Sequence, residues 1–117
     1  VLYDGRTATF WGGSQFQSVD QMTAAQAFGL PQDKVFINTM WAGGSFGRRA
    51  TPGAHYFVEA AELAKSWGKP QPIKLVYSRE DDIKGGYYRP LFVHRVRAGV
   101  DGEGNVEGVF HRRVIRP

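Results

Sequence analysis

The feature that most restricts this chain is a pair of glycine-rich breaks, each lying between a strand-like run and a helix-like run. The first is Gly12-Gly13-Ser14. The second lies in WAGGSFGRRATPGAHYF, residues 41 to 57, where three glycines, one serine and two adjacent arginines fall within nine positions. Glycine lets the backbone take positive φ and lets a ligand or another segment approach closely. The second break therefore reads in two ways: as an awkward strand-to-helix connection with two solvated arginines, or as a place where something anionic sits.

The runs around the breaks set the element order. Asp4-Gly5 is a turn signal, and Thr7 to Trp11 reads as a strand. Ser18 with Gln21 fits a capping box, and Val19, Met22, Ala25 and Phe28 follow at helical spacing until Gly29 and Pro31. Lys34 to Met40 reads as a buried strand. For the second helix, Thr51 is the expected N-cap and Pro52 the first helical residue. Its apolar stripe is Ala54, Phe57, Val58, Ala61, Ala64 and Trp67, with Glu59, Glu62 and Lys65 outside it. Gly68, Pro70 and Pro72 end it. Residues 73 to 78, IKLVYS, read as a short strand, and REDDIKGGYYRP as a loop. Phe92 to Val100 and Val106 to Ile115 form a hairpin about the turn Asp101 to Asn105. The sum is an α+β fold in one domain over residues 1–117, two helices packed on a mixed β-sheet.

Composition narrows the functional classes. Of 117 residues 42% are hydrophobic, enough for a real core and against disorder. No apolar run is long enough to cross a membrane, so no transmembrane segment is expected. The absence of cysteine excludes disulfides, thiolate metal sites and cysteine nucleophiles within the chain. The net charge is +4, and ten of the fifteen basic residues are arginine, which fits an anionic partner (phosphate, carboxylate or nucleic acid) and a solvated basic surface equally. The abrupt start VLYDGRTATFW and end VIRP read as cuts inside a longer protein.

Several groups can be weighed as sites. In GGSFGRR, successive amides can form an anion-binding nest, the following helix N-terminus favours anions, and Arg48 and Arg49 can add charge-assisted hydrogen bonds. Neither GxxxxGK[ST] nor GxGxxG is present. Gln15, in the first break, offers a neutral donor and acceptor, and two neighbouring strand-to-helix connections at one sheet edge are where ligands gather in layered α/β structures. Taken alone, Gln15 also fits an ordinary surface turn. Arg79, Glu80, Asp81 and Asp82 read as a solvated charge cluster, without the oxygen-ligand spacing of a calcium loop. Tyr87, Tyr88 and Arg89 either line a pocket or pack. His55, His94 and His111 are too far apart in sequence for a local metal motif. GxSxG is absent, and no carboxylate pair stands out for acid–base work, so no catalytic and no metal-binding residue is assigned. These residues describe an anion-accommodating domain without visible catalytic machinery.

The order of motifs is more specific than any one of them. SQ, a helix ending in FGLPQDKV, a strand and GGSFGRR, followed by IKLVYSREDDIKGGYYRP and HRVRAGVDGEGNVEG, resembles the molybdenum-cofactor-binding region of the xanthine dehydrogenase and aldehyde oxidase family. The resemblance covers nearly the whole chain and is greatest to the large subunit of isoquinoline 1-oxidoreductase-type enzymes. It implies that Gln15 approaches the apical oxo ligand of molybdenum. It also implies that Gly43, Gly44, Ser45, Phe46 and Gly47 wrap the metal end of the pterin, with Phe46 thirty-one positions after Gln15. Arg48 is assigned to phosphate or a neighbouring domain, and Tyr88 and Arg89 to the substrate side. Ser45 stands where the family commonly has a third glycine, so its backbone should avoid the glycine-only region. Ala50 stands where purine-oxidising members carry a glutamate, which points away from a purine substrate.

The resemblance further implies an excised first molybdopterin-binding subdomain. The family's catalytic glutamate lies far downstream, and its iron–sulfur domains are elsewhere. The intact enzyme is expected to hydroxylate an N-heteroaromatic compound or oxidise an aldehyde, with water as oxygen source. Its cofactor is expected to be molybdopterin cytosine dinucleotide with molybdenum, with none retained by the isolated piece. Expected partners are the remainder of the molybdenum subunit, a small iron–sulfur subunit and a small N-heterocycle or aldehyde, with no nucleic acid. The compartment is left open between bacterial periplasm and cytoplasm. A rival class is a non-enzymatic basic domain binding nucleic acid or phosphate ligands, which a steep salt dependence of oligonucleotide binding would reveal. A purely structural domain would lack a pocket where the two connections meet.

Overall fold

The computed structural model describes residues 1–85 and 90–115, and these fall into two compact units, Val1–Glu80 and Asp81–Pro117. Tyr87, Tyr88 and Arg89 lie outside the described residues.

The first unit is a layer of helices on a mixed sheet, in keeping with the α+β class. Strands β1 (Leu2–Tyr3), β2 (Ala8–Gly12) and β3 (Val35–Thr39) form a mixed sheet in the order β1-β2-β3, with β1 antiparallel and β3 parallel to β2. Helix α1 (Gln17–Phe28) is the crossover between the parallel pair, and α2 (His55–Trp67) follows β3. The register Ala8↔Val35 and Phe10↔Ile37 puts these four side chains on one face. That face joins Ala24, Ala25 and Phe28 of α1 and Ala54, Phe57, Ala61 and Ala64 of α2 in a single core. Alanines let the two helices approach closely, and the rings of Phe10, Phe28 and Phe57 fill the space, with Phe10–Phe57 centroids 4.9 Å apart. Both helices end on a left-handed glycine, Gly29 and Gly68, as the sequence implies.

Five local expectations need correction. Ser18 lies inside α1, whose N-cap is Phe16 and carries no side-chain cap bond. The buried face of α1 is Asp20, Ala24, Ala25 and Phe28, while Met22 is exposed. Helix α2 begins at His55, not at Pro52: Thr51 starts a turn that closes on the Ala54 N–H, and Ala54 is the N-cap. Strand β3 is an edge strand with only Val35 fully buried, because helices cover one of its faces. REDDIKG is not a loop but a short helix, α3 (Arg79–Gly85), whose acidic residues fall at its N-terminal end, where the helix dipole favours them.

The segment 73 to 78 forms no ladder among the described residues. It does make one reciprocal pair, in which Val1 and Ile73 exchange backbone hydrogen bonds of 2.8 Å each, the pattern of an antiparallel pair. Ile73, Leu75 and Tyr77 are half-buried and alternate with exposed Lys74, Val76 and Ser78. The strand pattern read from the sequence is therefore present in burial, with a single backbone pair to support it. Strand β1, two residues long, is too short to leave a period in the sequence.

In the second unit, β4 (Phe92–Val100) and β5 (Val106–Ile115) form the expected hairpin, residue for residue. The Asp101 carboxylate accepts the Glu103 and Asn105 N–H groups and so closes the turn. His94 and His111, distant in sequence, stack with Nδ1 and Nε2 2.7 Å apart. No group of three or more potential metal ligands exists among the described residues.

Candidate functional site

The βαβ order carries both strand-to-helix connections to the same end of the sheet. The first runs from Gly12 to Phe16, the second from Met40 to Ala54. They are in direct contact. The Met40 N–H donates to the Gly12 carbonyl at 3.0 Å, and Arg49 Nη1 donates to the Gly13 carbonyl at 3.3 Å. A Cβ on Gly13 would stand 2.6 Å from the Ala42 Cβ and 2.9 Å from Arg49 Nη1, so the two backbones meet at a distance only glycine permits.

The residues singled out in the sequence converge here. Ser45 Oγ donates to Gln15 Oε1, joining the first connection to the second. Gln15 Nε2 has no acceptor among the described residues and stays available as a donor. Gly44 and Gly47 take positive φ, 106° and 86°. Ser45 does not, as expected of a residue with a Cβ, and the left-handed position falls instead on Phe46, at φ 52°. The N–H groups of Gly43, Gly44, Ser45 and Gly47 have no acceptor among the described residues, whereas those of Arg48 and Ala50 close turns on Ser45 and Gly47. The glycine segment thus offers several unengaged donors along one exposed stretch of backbone.

Arg48 is placed differently from the first physical reading. Arg48 lies seven positions before the start of α2, so GGSF does not sit directly on that helix N-terminus. The Arg48 guanidinium lies against the imidazole of His55, whose Nδ1 is also 3.3 Å from Thr51 Oγ1. Burial, then the Arg48 charge, hold the His55 pKa below its ordinary value. His55 is therefore a neutral acceptor for Arg48 near pH 7.

Behind the connections lies a polar group the sequence reading missed. Asp20 is fully buried, and its Oδ2 accepts Ser14 Oγ at 2.5 Å and the Tyr56 hydroxyl at 3.1 Å. The same hydroxyl is 3.2 Å from the Arg49 carbonyl. Burial, followed by the Asp20 charge, pushes the Tyr56 pKa well above its usual value, so it remains a donor. A signal existed: Asp20, Ala24 and Phe28 share one helical face, so an acidic residue sat on the small-residue side of α1. Tyr56, beside the core residue Phe57, left no comparable trace.

Around the connections, Trp11, Phe16, Met40, Trp41 and Phe46 are exposed, Phe46 by 85%. A groove lined by Leu63, Ser66, Trp67, Gln71, Pro72 and Ile73 lies at the other end of α2. No helix among the described residues is long and apolar enough to cross a membrane.

The chain is 39% identical over 94 residues to isoquinoline 1-oxidoreductase subunit beta of Brevundimonas diminuta, covering 80% of this chain and 12% of the relative. It is 34% identical to a membrane-bound aldehyde dehydrogenase [pyrroloquinoline-quinone] of Gluconacetobacter polyoxogenes, covering 86% and 12%. It is 30% identical to xanthine dehydrogenase 2 of Arabidopsis thaliana, covering 84% and 8%. The chain thus spans about an eighth or less of the length of these relatives. No solved structure matches it. The family model for the molybdopterin cofactor-binding domain matches residues 1–115, and the chain belongs to that family.

Proposed function

We propose that this chain is the first molybdopterin-binding subdomain of a molybdenum hydroxylase that hydroxylates N-heteroaromatic compounds or oxidises aldehydes. Its 39% identity to an isoquinoline 1-oxidoreductase subunit favours the N-heterocycle, and Ala50 favours a non-purine ring. The observation that carries the reading is the Gln15–Ser45 hydrogen bond, which brings the two connections together beside the amides of Gly43, Gly44, Ser45 and Gly47, for which no acceptor exists among the described residues.

The residues present suit such a cofactor. Unengaged backbone N–H groups are what a glycine-rich wall can offer to oxo and phosphate oxygens. Ser45 occupies Gln15 Oε1 and so leaves the Nε2 amide to donate to an oxo group. Arg48, held by neutral His55, supplies fixed positive charge beside the wall. When bound, the cofactor supplies the redox chemistry with water as the oxygen source; the chain supplies position and electrostatics. Exposed Trp11, Trp41 and Phe46 match a surface that the remainder of a larger molybdenum subunit would cover. A small iron–sulfur subunit completes the proposed assembly. The cytosine dinucleotide form of the cofactor belongs to the same proposal, and release of cytidine monophosphate on acid hydrolysis would establish it.

The test uses the natural, longer protein. Gln15→Ala and Phe46→Ala should each lower turnover about 10- to 100-fold while leaving the thermal midpoint within a degree or two. Wild-type turnover in both variants would refute the assignment. The 117-residue chain alone should retain no stoichiometric molybdenum.

A further inference from the structure

We propose that Asp20 is a positioning residue for the candidate site, holding the Gln15 connection and the Gly43–Gly47 connection in register through Ser14 and Tyr56. The inference rests on the reading of these connections as the cofactor wall. Its geometry, however, is visible in the chain itself.

The contacts close a ring. Asp20 Oδ2 binds Ser14, the residue before Gln15. It also accepts from the Tyr56 hydroxyl, whose single proton is shared with the carbonyl of Arg49, two residues after Gly47. Arg49 returns through Nη1 to the carbonyl of Gly13, the residue before Ser14, while its guanidinium carbon lies 5.9 Å from the Tyr56 ring centre. Asp20, Ser14, Gly13, Arg49 and Tyr56 thus clamp the inner ends of both connections. Among the described residues, Gln15 and Ser45 join the outer ends. Opening the inner clamp lets the outer pair separate.

The carboxylate is not what a core optimised for stability alone would hold there. Its Oδ1 is buried with no hydrogen-bond partner, a group that costs stability wherever it occurs. An apolar residue of similar size often does as well or better in such a place. What an apolar residue cannot do is accept two hydroxyl protons from different segments at one oxygen.

The experiment compares Tyr56→Phe, Asp20→Ala and Asp20→Asn. Tyr56→Phe keeps the ring and removes only the bridging hydroxyl. Asp20→Asn keeps one acceptor oxygen for both hydroxyls. In the 117-residue chain, NMR should show loss of Gln15–Ser45 side-chain contacts and shifted amides at Ser14, Gln15 and Gly43 to Gly47 in the first two variants. Asp20→Asn should restore both. In the natural, longer protein, molybdenum occupancy should fall about tenfold in the first two and recover in the third. If Asp20→Ala fails to fold, Tyr56→Phe decides. A lowered denaturation midpoint with unchanged contacts at Gln15 and Ser45 overturns the proposal and leaves Asp20 a core group. No rescue by Asp20→Asn overturns it as well. If the wild-type longer protein holds no molybdenum, the proposed function fails, while the NMR outcome still decides the role of Asp20.

Discussion

The first connection, Gly12 to Phe16, and the second, Met40 to Ala54, both lead from a parallel strand into a helix, yet they depend on glycine for different reasons. Gly13 and Ser14 are buried, and Gly13 has no room for a Cβ because Ala42 and Arg49 pass directly over it. A Cβ on Gly44 would meet no described atom within 4 Å, and its requirement is a φ of 106°. The first connection is fixed by what it packs against. The second is fixed by its own backbone and leaves its amides and aromatic side chains outward. A site built from both has one rigid wall and one presented wall.

The largest expected effect comes from breaking the packed wall. Gly13→Val should destabilise the chain by about 2 kcal/mol, because the added atoms must displace the Ala42 segment. Urea denaturation measures it; an unchanged midpoint would mean that the two connections do not touch in solution. Next is Gly44→Ala, where the cost is dihedral strain of about 1 kcal/mol, with no clash. Gly43→Ala is the internal control: its site is equally open and has no positive φ, so its midpoint should hardly move. Equal losses in the two variants would show that φ is not what distinguishes them.

Phe46→Gly tests the presented wall from the other side. Relief of a left-handed phenylalanine is worth about 1–2 kcal/mol, and the added freedom of glycine in the unfolded chain offsets about 0.5–1 of it. A net gain of about 0.5 kcal/mol in stability is expected, together with lower cofactor occupancy in the longer protein. A stability loss above about 1 kcal/mol would make Phe46 a packing residue and erase the contrast between the walls.

What could be read in the sequence follows the same division between local and distant causes. The hairpin matched residue for residue because its turn is closed by its own Asp101, and the helix ends matched because Gly29 and Gly68 act on the preceding turn. Motif order singles out Gln15, Gly44 and Phe46 as site candidates, and the fold brings Gln15 to Ser45. Helix starts were misplaced because Ser18 and Thr51 are good caps that the chain does not use: Phe16 and Ala54 cap instead, set by how each connection leaves the sheet. Asp20 and Tyr56 were missed because their pairing spans thirty-six positions and depends on two helices packing closely through alanine.

The smallest effect concerns the outer end of the presented wall, where His55 receives Arg48. Burial and the Arg48 charge lower the folded-state pKa of His55 from its ordinary 6.5. The unfolded chain therefore takes up the proton at higher pH than the folded chain does. Stability from this group is fully present above about pH 6.5 and is lost as the pH falls through the folded-state value. Three other shifted groups frame the window. The Val1 amine, lowered by burial from 8.0, acts with the same sign at higher pH, and Asp4 and Asp101, lowered from 3.8, act in stronger acid. Urea midpoints measured from about pH 7.5 to about pH 5 should fall for the wild type and fall less for His55→Gln, which keeps an acceptor but cannot take up a proton. The presented wall should loosen in the same window, seen as shifted Gly47 and Arg48 amides, while the Gly13 and Ser14 amides of the packed wall stay in place. Parallel movement of both sets of amides would show one cooperative unit instead of two walls held by different means.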